Sequence, residues 1–208
     1  MIADLLFPPI CLGCRRLLAD DPPLPLCTAC AREHVPLPAG HRVQAGTEAL
    51  HAYDGPLARA VAALKYGGEI ELAGPLGRLL ARADLLTRGW DLVAPVPMHP
   101  WRAALRGFNH AALLARWAAH HAGLPARTVA PRLLRRLRAT PPQAGLDGEA
   151  RRRNLDGAIG VRQAVAGRRI LVLDDVTTTG ATLGACLAAL RDAGALEVAG
   201  LALLRTLA

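Results

Sequence analysis

The sequence predicts an α/β protein with a doubly wound, mostly parallel sheet and a small N-terminal module. Its 208 residues, 52% of them hydrophobic and 20% charged, are enough for one sizeable core. Short apolar runs of strand length alternate with longer segments whose apolar residues recur at helical intervals. Such alternation favours parallel strands that are covered by helices on both faces of the sheet.

The predicted elements have recognisable ends. A strand near residues 50–53 ends at Asp54-Gly-Pro, Gly67-Gly68 ends the helix that follows it, and Gly194 closes the last helix. The predicted strands cover residues 50–53, 91–96, 170–174 and 198–204, and the predicted helices cover residues 57–64, 72–86, 101–122 and 182–193. Residues 133–154 are too polar and too broken for a core element, so we expect a mobile functional loop there.

The chain divides by composition into two parts. We expect a four-cysteine module in residues 1–45 and an α/β domain in residues 46–208, with a flexible basic loop at about 133–155. No apolar run approaches the 18 residues that a membrane span needs. The N-terminus lacks a basic segment and soon reaches Pro8-Pro9, which argues against a cleaved signal peptide. We therefore expect a cytoplasmic protein with no membrane span.

Positive charge is concentrated in one region. Of the 25 basic residues, 24 are arginine and the single lysine is Lys65. Residues 102–153 hold eleven arginines and two acids, a net charge of +9 against +8 for the whole chain. This density suits a polyanion, either the phosphates of a small metabolite or nucleic acid, and the alternative is a solvated arginine surface. Only 3% of residues are aromatic, which is few for a base-stacking surface.

Four of the five cysteines form two pairs near the N-terminus. Cys11-Leu-Gly-Cys14 and Cys27-Thr-Ala-Cys30 are separated by twelve residues, whereas Cys186 stands alone in an apolar helical pattern. Two CxxC turns can bring four thiolates to one tetrahedral Zn²⁺. Four sulfur ligands leave no open position, so the pattern favours a structural zinc site. Two disulfides and a redox CxxC are the alternatives.

Residues 170–182 carry the most chemistry. Two carboxylates stand at the end of a buried strand, and a hydroxyl-rich loop that opens into a helix follows them. The run is Ile-Leu-Val-Leu-Asp174-Asp175-Val-Thr-Thr-Thr-Gly180-Ala-Thr. A helix N-terminus with nearby hydroxyls and a glycine suits a phosphate. The carboxylates can accept hydrogen bonds from vicinal sugar hydroxyls or stand near Mg²⁺. Together they describe a ribose 5-phosphate pocket, and the alternative is a simple strand end followed by a turn.

This segment resembles the phosphoribosyl pyrophosphate (PRPP) motif of type I phosphoribosyltransferases, and nearly the whole chain resembles the ComF family. That family joins a four-cysteine zinc module to a phosphoribosyltransferase-like domain. Further family-like blocks are Leu64-Lys-Tyr-Gly67, Pro95-Val-Pro-Met-His99, Arg106-Gly-Phe-Asn109, Arg136-x-Arg-x-Thr-x-x-Gln143 and Arg151-x-x-Asn154. The chain departs from the family at Ala158-Ile159, where phenylalanine is usual.

The resemblance implies roles for particular residues. Asp174 and Asp175 would hold the ribose hydroxyls, and Lys65 with the loop arginines would neutralise the departing pyrophosphate. Mg²⁺ would be bound together with PRPP. The residues that would contact the 5-phosphate and the pyrophosphate are Val176, Thr177, Thr178, Thr179, Gly180, Ala181, Thr182, Val96, Pro97, Met98, His99, Arg106 and Arg151. The alternative for Lys65 is an ordinary surface lysine.

The acceptor is not evident. Purine-salvage members of the superfamily carry a further acid where this chain has Thr178, so the resemblance does not extend to them. Two hypotheses follow. The chain is a Mg²⁺-dependent phosphoribosyltransferase with an unidentified acceptor, or it is a non-catalytic, PRPP-responsive component of DNA uptake that meets single-stranded DNA or competence proteins. The sequence leaves its oligomeric state open.

Overall fold

The computed structural model describes residues 9–19, 22, 24–38, 40–44, 46–98, 107–137 and 157–207. The strands are β1 (Arg42–Gln44), β2 (Thr47–Ala52), β3 (Leu92–Pro95), β4 (Leu134–Arg136), β5 (Ile159–Val161), β6 (Arg169–Thr177) and β7 (Glu197–Arg205). The α-helices are α1 (Thr28–Glu33), α2 (Gly55–Ala62), α3 (Ala73–Ala81), α4 (His110–His121) and α5 (Ala181–Asp192). A π-helical turn (Ala63–Gly67) extends α2, and short 3₁₀ turns cover Ile70–Leu72, Asp84–Thr87 and Ala126–Thr128.

One five-stranded sheet organises the chain. Its strand order is β1-β2-β7-β6-β3, and a separate antiparallel hairpin joins β4 to β5. β2, β7, β6 and β3 run parallel, whereas the short edge strand β1 pairs antiparallel with β2. Because parallel strands end at the same edge of a sheet, the loops that follow β3 and β6 lie side by side.

Helices cover both faces of this sheet. Along β6, Leu171 and Leu173 belong to a core formed with α2, α3 and α4. Ile170 and Val172 belong to the opposite core, which α5 and the β4–β5 hairpin close. Successive residues of a strand point to opposite faces, so the continuous apolar run of β6 is the pattern of a strand buried on both sides. The predicted doubly wound, mostly parallel α/β fold is confirmed.

The cysteine-rich segment packs on the α2–α4 side of the sheet. Cys11 and Cys30 are buried in the same core as Leu57 of α2. A Cβ at Gly13 would lie 2.7 Å from Cys30 Sγ and from the Cβ of Pro56, so this turn approaches α2 as closely as glycine allows. The predicted boundary at residue 45 is not a gap in packing, because β1 precedes it and belongs to the main sheet.

Several predicted elements have different limits in the structure. The helix expected over residues 101–122 begins at His110, because Asn109 is extended and its side chain accepts a hydrogen bond from Ala111 N at 3.0 Å. Residues 101–106 lie outside the described residues. The single helix expected over residues 72–86 is instead α3 followed by the 3₁₀ turn Asp84–Thr87. Both pieces are buried on one side. The apolar spacing therefore indicated correctly which residues are buried, but not that the helix is interrupted.

The expectation of a wholly irregular segment from residue 133 is wrong at its start. Residues 134–136 form β4, and Leu133 and Leu134 are buried in the α5-side core. The strand was obscured because its other side chains are Arg135 and Arg136, and because its partner β5 lies more than twenty residues later. Residues 138–155 of the predicted loop lie outside the described residues. No helix among the described residues combines the length and apolarity that a membrane crossing requires.

Candidate functional site

The sheet edge where β3 and β6 end is the expected place for a ligand crevice. The chain leaves β3 towards α4, which packs on one face of the sheet, and leaves β6 towards α5, which packs on the other. β3 and β6 are neighbours in the sheet, with Pro95 opposite Leu173. Connections that leave adjacent parallel strands in opposite directions create a ligand-binding crevice at the carboxyl edge of the sheet. The segments that wall this crevice are residues 96–98 and 178–180.

The two carboxylates of β6 leave the strand on opposite faces. Asp175 lies on the same face of β6 as Leu171 and Leu173, and it contacts Lys65 in the π-helical turn that extends α2. Asp174 follows the alternation of Ile170 and Val172 towards α5. Each carboxylate also accepts the next backbone amide, Asp174 Oδ1 from Asp175 N at 2.9 Å and Asp175 Oδ1 from Val176 N at 2.6 Å. The strand therefore presents one acid to each side of the crevice.

Asp175 forms an ion pair with the only lysine of the chain. Lys65 Nζ lies 2.8 Å from Asp175 Oδ1, and the two side chains are 18% and 9% exposed. Burial alone would lower the pKa of Lys65, but the neighbouring Asp175 and Asp174 carboxylates and the Tyr66 phenol raise it above the ordinary value. Lys65 is therefore charged, and its position excludes the alternative of an ordinary surface lysine.

Asp174 has a different electrostatic environment. Burial and the nearby negative charge of Asp175 raise the pKa of Asp174 to about 8, against the opposing influence of Lys65, the Asp175 amide and Arg136. Asp174 in turn raises the pKa of Cys186 beneath it, although burial is the larger cause there. The raised pKa of Asp174 favours the protonated form of its carboxyl, which can donate as well as accept a hydrogen bond.

The threonine loop, residues 178–180, joins β6 to α5. Thr178 and Thr179 are exposed, whereas Gly180 is buried and adopts a left-handed conformation with φ of 79°. Thr179 Oγ1 accepts a long hydrogen bond of 3.4 Å from Ala181 N, and Thr206 N donates to Thr177 O at 2.9 Å. The first amides of α5, which have no partner within the helix, therefore lie beside exposed hydroxyls at this edge of the sheet.

The opposite wall is anchored from two other elements. Asn109, the cap of α4, donates from Nδ2 to Val96 O at 3.1 Å, and Arg136 of β4 donates from Nε to Pro97 O at 3.1 Å. The Arg136 guanidinium also lowers the pKa of Asp174, so its charge acts across the crevice. The sequence identifies Arg136 as part of a family-like block and as one of the loop arginines, but no local pattern shows that β4 folds back against residue 97.

The structure brings most of the predicted site residues to this one edge. Asp174, Asp175, Lys65 and the residues of both walls surround the crevice. Those that it describes on the walls are Val96, Pro97, Met98, Val176, Thr177, Thr178, Thr179, Gly180, Ala181 and Thr182. His99, Arg106 and Arg151 lie outside the described residues. The sequence-based prediction missed Gln44, whose side chain contacts Gly180 from β1.

The four cysteines near the N-terminus form a second site, which is distant in sequence from the segments that wall the crevice. The Sγ atoms of Cys11, Cys14, Cys27 and Cys30 all lie within 4.8 Å of one another, so the group can hold a metal ion. Cys14 Sγ and Cys27 Sγ are 3.7 Å apart, and sulfurs bound 2.3 Å from a tetrahedral zinc would be about 3.8 Å apart. Although burial would raise the pKa of Cys11, backbone amides, among them Cys27 N at 3.2 Å, lower it to about 6.

Similar proteins share nearly the whole chain. DNA utilization protein YhgH of Salmonella typhimurium is 32% identical over 211 residues, covering 95% of this chain and 91% of that protein. YhgH of Escherichia coli K12 is 32% identical over 215 residues with the same coverage. Competence protein F of Haemophilus influenzae is 28% identical over 155 residues, or 70% of this chain and 66% of that protein. The chain belongs to the ComF family.

This membership confirms the resemblance inferred from the motifs. No family model matches the chain, so the assignment depends on these full-length relatives and on the four-cysteine cluster. Among solved structures, the allosteric regulatory enzyme of purine biosynthesis superposes with a TM-score of 0.41 at 23% identity, over 62% of this chain and 25% of that one. The α/β fold follows from the sheet order and the two cores of the chain itself.

Proposed function

We propose that this ComF protein binds a ribose 5-phosphate ligand of the PRPP type in the crevice between β3 and β6. The observation that carries the proposal is the joint position of the threonine loop, the start of α5 and the β6 carboxylates at the one place where the connections leave the sheet in opposite directions. This arrangement supplies donors for a phosphate beside acceptors for hydroxyl groups, which is what a phosphorylated sugar needs.

The two walls take different parts of the ligand. Hydroxyls and amides of residues 177–182 would bind the 5-phosphate, and Asp174 and Asp175 would face the ribose hydroxyls. Residues 96–99 would meet the pyrophosphate, as the family resemblance implies. Arg136 already places a positive charge near this wall, and Arg106 and Arg151 are proposed to add to it from segments that the structure does not describe.

Transfer of the ribosyl group would depend mainly on charge. Departure of pyrophosphate leaves a cation-like sugar, and positive groups that neutralise the leaving pyrophosphate lower the barrier. Mg²⁺ bound with the ligand would supply part of this charge, and Asp174 would be the carboxylate beside it, because Asp175 is paired with Lys65. Lys65 would contact the leaving group, as the family resemblance implies, by giving up part of its contact with Asp175. Residues 96–98, held by Asn109 and Arg136, orient the pyrophosphate side of the ligand.

The cysteine cluster is proposed to bind zinc with a structural role. Its four sulfurs match a closed tetrahedral site, and two of the ligands, Cys11 and Cys30, are part of the main core. Thiolate ligands and a phosphorylated sugar ligand both fit a cytoplasmic location. By the names of its relatives, we place the activity of the chain in DNA utilization or competence.

Calorimetry of the full chain with PRPP, with and without Mg²⁺, tests this proposal. We expect saturable binding that Mg²⁺ strengthens, and weaker binding of ribose 5-phosphate, which lacks the pyrophosphate. Asp174→Asn combined with Asp175→Asn should abolish binding, whereas Asp192→Asn, an exposed acid at the end of α5, should leave it unchanged. A folded wild-type protein that binds neither ligand would overturn the proposal.

The second candidate is a non-catalytic, PRPP-responsive protein that binds single-stranded DNA. Exposed arginines on and beside the β4–β5 hairpin favour it, namely Arg132, Arg135 and Arg162. Oligonucleotide binding should weaken steeply with salt and be lost when Arg151–Arg153 are neutralised. Turnover of PRPP separates the candidates: consumption of PRPP that disappears in the double aspartate variant supports transfer. Binding of PRPP without turnover, together with oligonucleotide binding, supports the second candidate.

A further inference from the structure

Gln44 makes a long-range contact with the threonine loop. It is the last residue of β1 and is half-buried, and its side-chain Nε2 donates a hydrogen bond to Gly180 O at 2.9 Å. The same carbonyl accepts the amide of Gly184 at 2.7 Å, as expected in the first turn of α5. A carbonyl oxygen has two lone pairs, so these two donors satisfy it fully.

These two hydrogen bonds to Gly180 O also fix the direction of the Ala181 N–H, which belongs to the same peptide group. The peptide bond between Gly180 and Ala181 is planar and trans, so its N–H points opposite to its C=O. Holding Gly180 O against Gln44 and Gly184 therefore aims the Ala181 N–H away from them, towards Thr179. The Ala181 amide is one of the first helical amides that have no partner within their own helix, and such amides bind phosphates.

The contact requires glycine at two positions one helical turn apart. A Cβ at Gly184 would lie 2.5 Å from Gln44 Nε2, and a Cβ at Gly180 would lie 2.9 Å from Gln44 Cδ. Glycine is otherwise unfavourable inside a helix. Gly180 also needs glycine for its positive φ, but Gly184 has no such requirement. The room that Gly184 leaves for Gln44 therefore accounts for its presence in α5.

The backbone of β1 that carries Gln44 is held by other strands. β1 pairs with β2, with Gln44 opposite Thr47, and the Arg205 side chain at the end of β7 donates to Arg42 O at 3.1 Å. Its side chain thus reaches Gly180 from backbone that the sheet and β7 both fix. A glutamine on a mobile loop could not restrict the Gly180 peptide in the same way.

We propose that Gln44 is a positioning residue for the threonine loop: through Gly180 O it orients the Ala181 amide that contacts the 5-phosphate. The ligand part of this inference rests on the proposed function. The orientation part concerns the loop and the first turn of α5, and it predicts slow amide exchange of residues 180–184 without any ligand.

The experiment compares Gln44→Met, which keeps the length of the side chain but has no donor, with Gln163→Met at an exposed position. Amide hydrogen exchange of residues 180–184 without ligand should be about fivefold faster in Q44M, the factor for one hydrogen bond of ordinary strength, and unchanged in Q163M. PRPP affinity should fall by a similar factor. Unchanged exchange in Q44M would overturn the proposal.

Gly184→Ala provides a second, independent variant. In the wild-type background its methyl group should displace Gln44 and reproduce the faster exchange and weaker binding. In a Gln44→Ala background the space is vacant, so Gly184→Ala should add no further loss. Additive losses would contradict the proposed contact. If wild-type protein fails to bind PRPP, the proposed function falls, and the exchange measurements still decide whether Gln44 orients the loop.

Discussion

Lys65 Nζ and Asp175 Oδ1 lie 2.8 Å apart, and their ion pair ties the π-helical turn after α2 to the end of β6. The turn ends at Gly68, which adopts the left-handed conformation with φ of 73°. Both partners are mostly buried, so each depends on the other for its charge to be tolerated. The pair therefore sets the shape of one side of the crevice.

Breaking this pair should destabilise the protein. Lys65→Met leaves the Asp175 carboxylate buried without its cation, and we expect a loss of about 3 kcal/mol in the free energy of unfolding, the lower end of the range for buried pairs. Denaturant unfolding measures it. Adding Asp175→Asn to Lys65→Met should recover much of the loss, since no charge is then stranded. A single variant as stable as wild type would show that the pair does not exist in solution.

Asp174 should make stability depend on pH. Its pKa is raised from 3.8 to about 8 in the folded protein, so folding favours the protonated form. The resulting stabilisation is complete below pH 3.8 and is lost as the pH rises through about 8. Asp174→Asn cannot ionise, so its stability relative to wild type should rise as the pH increases from 3.8 to about 8 and should level off above that, which thermal melts across and above this range test. Asp192→Asn is the control, and parallel curves for wild type and Asp174→Asn would refute the assignment.

Metal removal should affect the whole protein and not only its N-terminal segment. Cys11 and Cys30 line the main core, so a chelator should lower the melting temperature of the whole protein in one transition. Atomic emission should find one zinc per chain. Cys14→Ser is the sharpest variant, because Cys14 is exposed and its change removes a ligand without disturbing the core. Cys186→Ala, far from the cluster in sequence, should keep its zinc, and full zinc retention by Cys14→Ser would contradict the site.

The crossing of α3 and α4 depends on one glycine. A Cβ at Gly77 would lie 2.4 Å from the Cβ of Trp117, whereas a Cβ at Gly74 would make ordinary contact at 3.7 Å with the Trp117 ring. Gly77→Ala should therefore cost about 1–3 kcal/mol of stability through overpacking. Gly74→Ala should gain about 0.5 kcal/mol from helix propensity. Equal effects of the two substitutions in denaturant unfolding would be inconsistent with the helix packing.

Loss of one hydroxyl from the threonine loop should reduce PRPP affinity more than it reduces the stability of the protein. Thr179→Val removes an exposed hydroxyl with one long hydrogen bond, so stability should change by no more than about 0.5 kcal/mol. PRPP affinity by calorimetry should fall about tenfold if Thr179 Oγ1 contacts the phosphate, as expected for a hydrogen bond to a charged group. Thr87→Val, on an exposed 3₁₀ turn, is the matched control. Undiminished affinity in Thr179→Val would remove this residue from the site.

The order of elements and the residues of the two sites could be predicted from the sequence because they are local patterns. The apolar run of β6, the acids that follow it and the threonines before α5 are contiguous in the chain, and the two CxxC pairs need only one turn each. Periodicity and turn residues therefore indicate them without knowledge of the fold. The short strands β1 and β4 could not be predicted, since three residues show no period and their partners are chosen by packing.

The sequence by itself determined that a carboxylate-bearing strand enters a threonine loop and a helix, and that four cysteines stand at metal-binding spacing. Only the tertiary structure decided which distant groups act on them. Lys65 reaches Asp175, Arg136 anchors Pro97 and Gln44 holds Gly180, each across tens of residues or more. These contacts arise because the parallel sheet brings the ends of separate strands to one edge, and a sheet order of that kind depends on long-range pairing that no local pattern records.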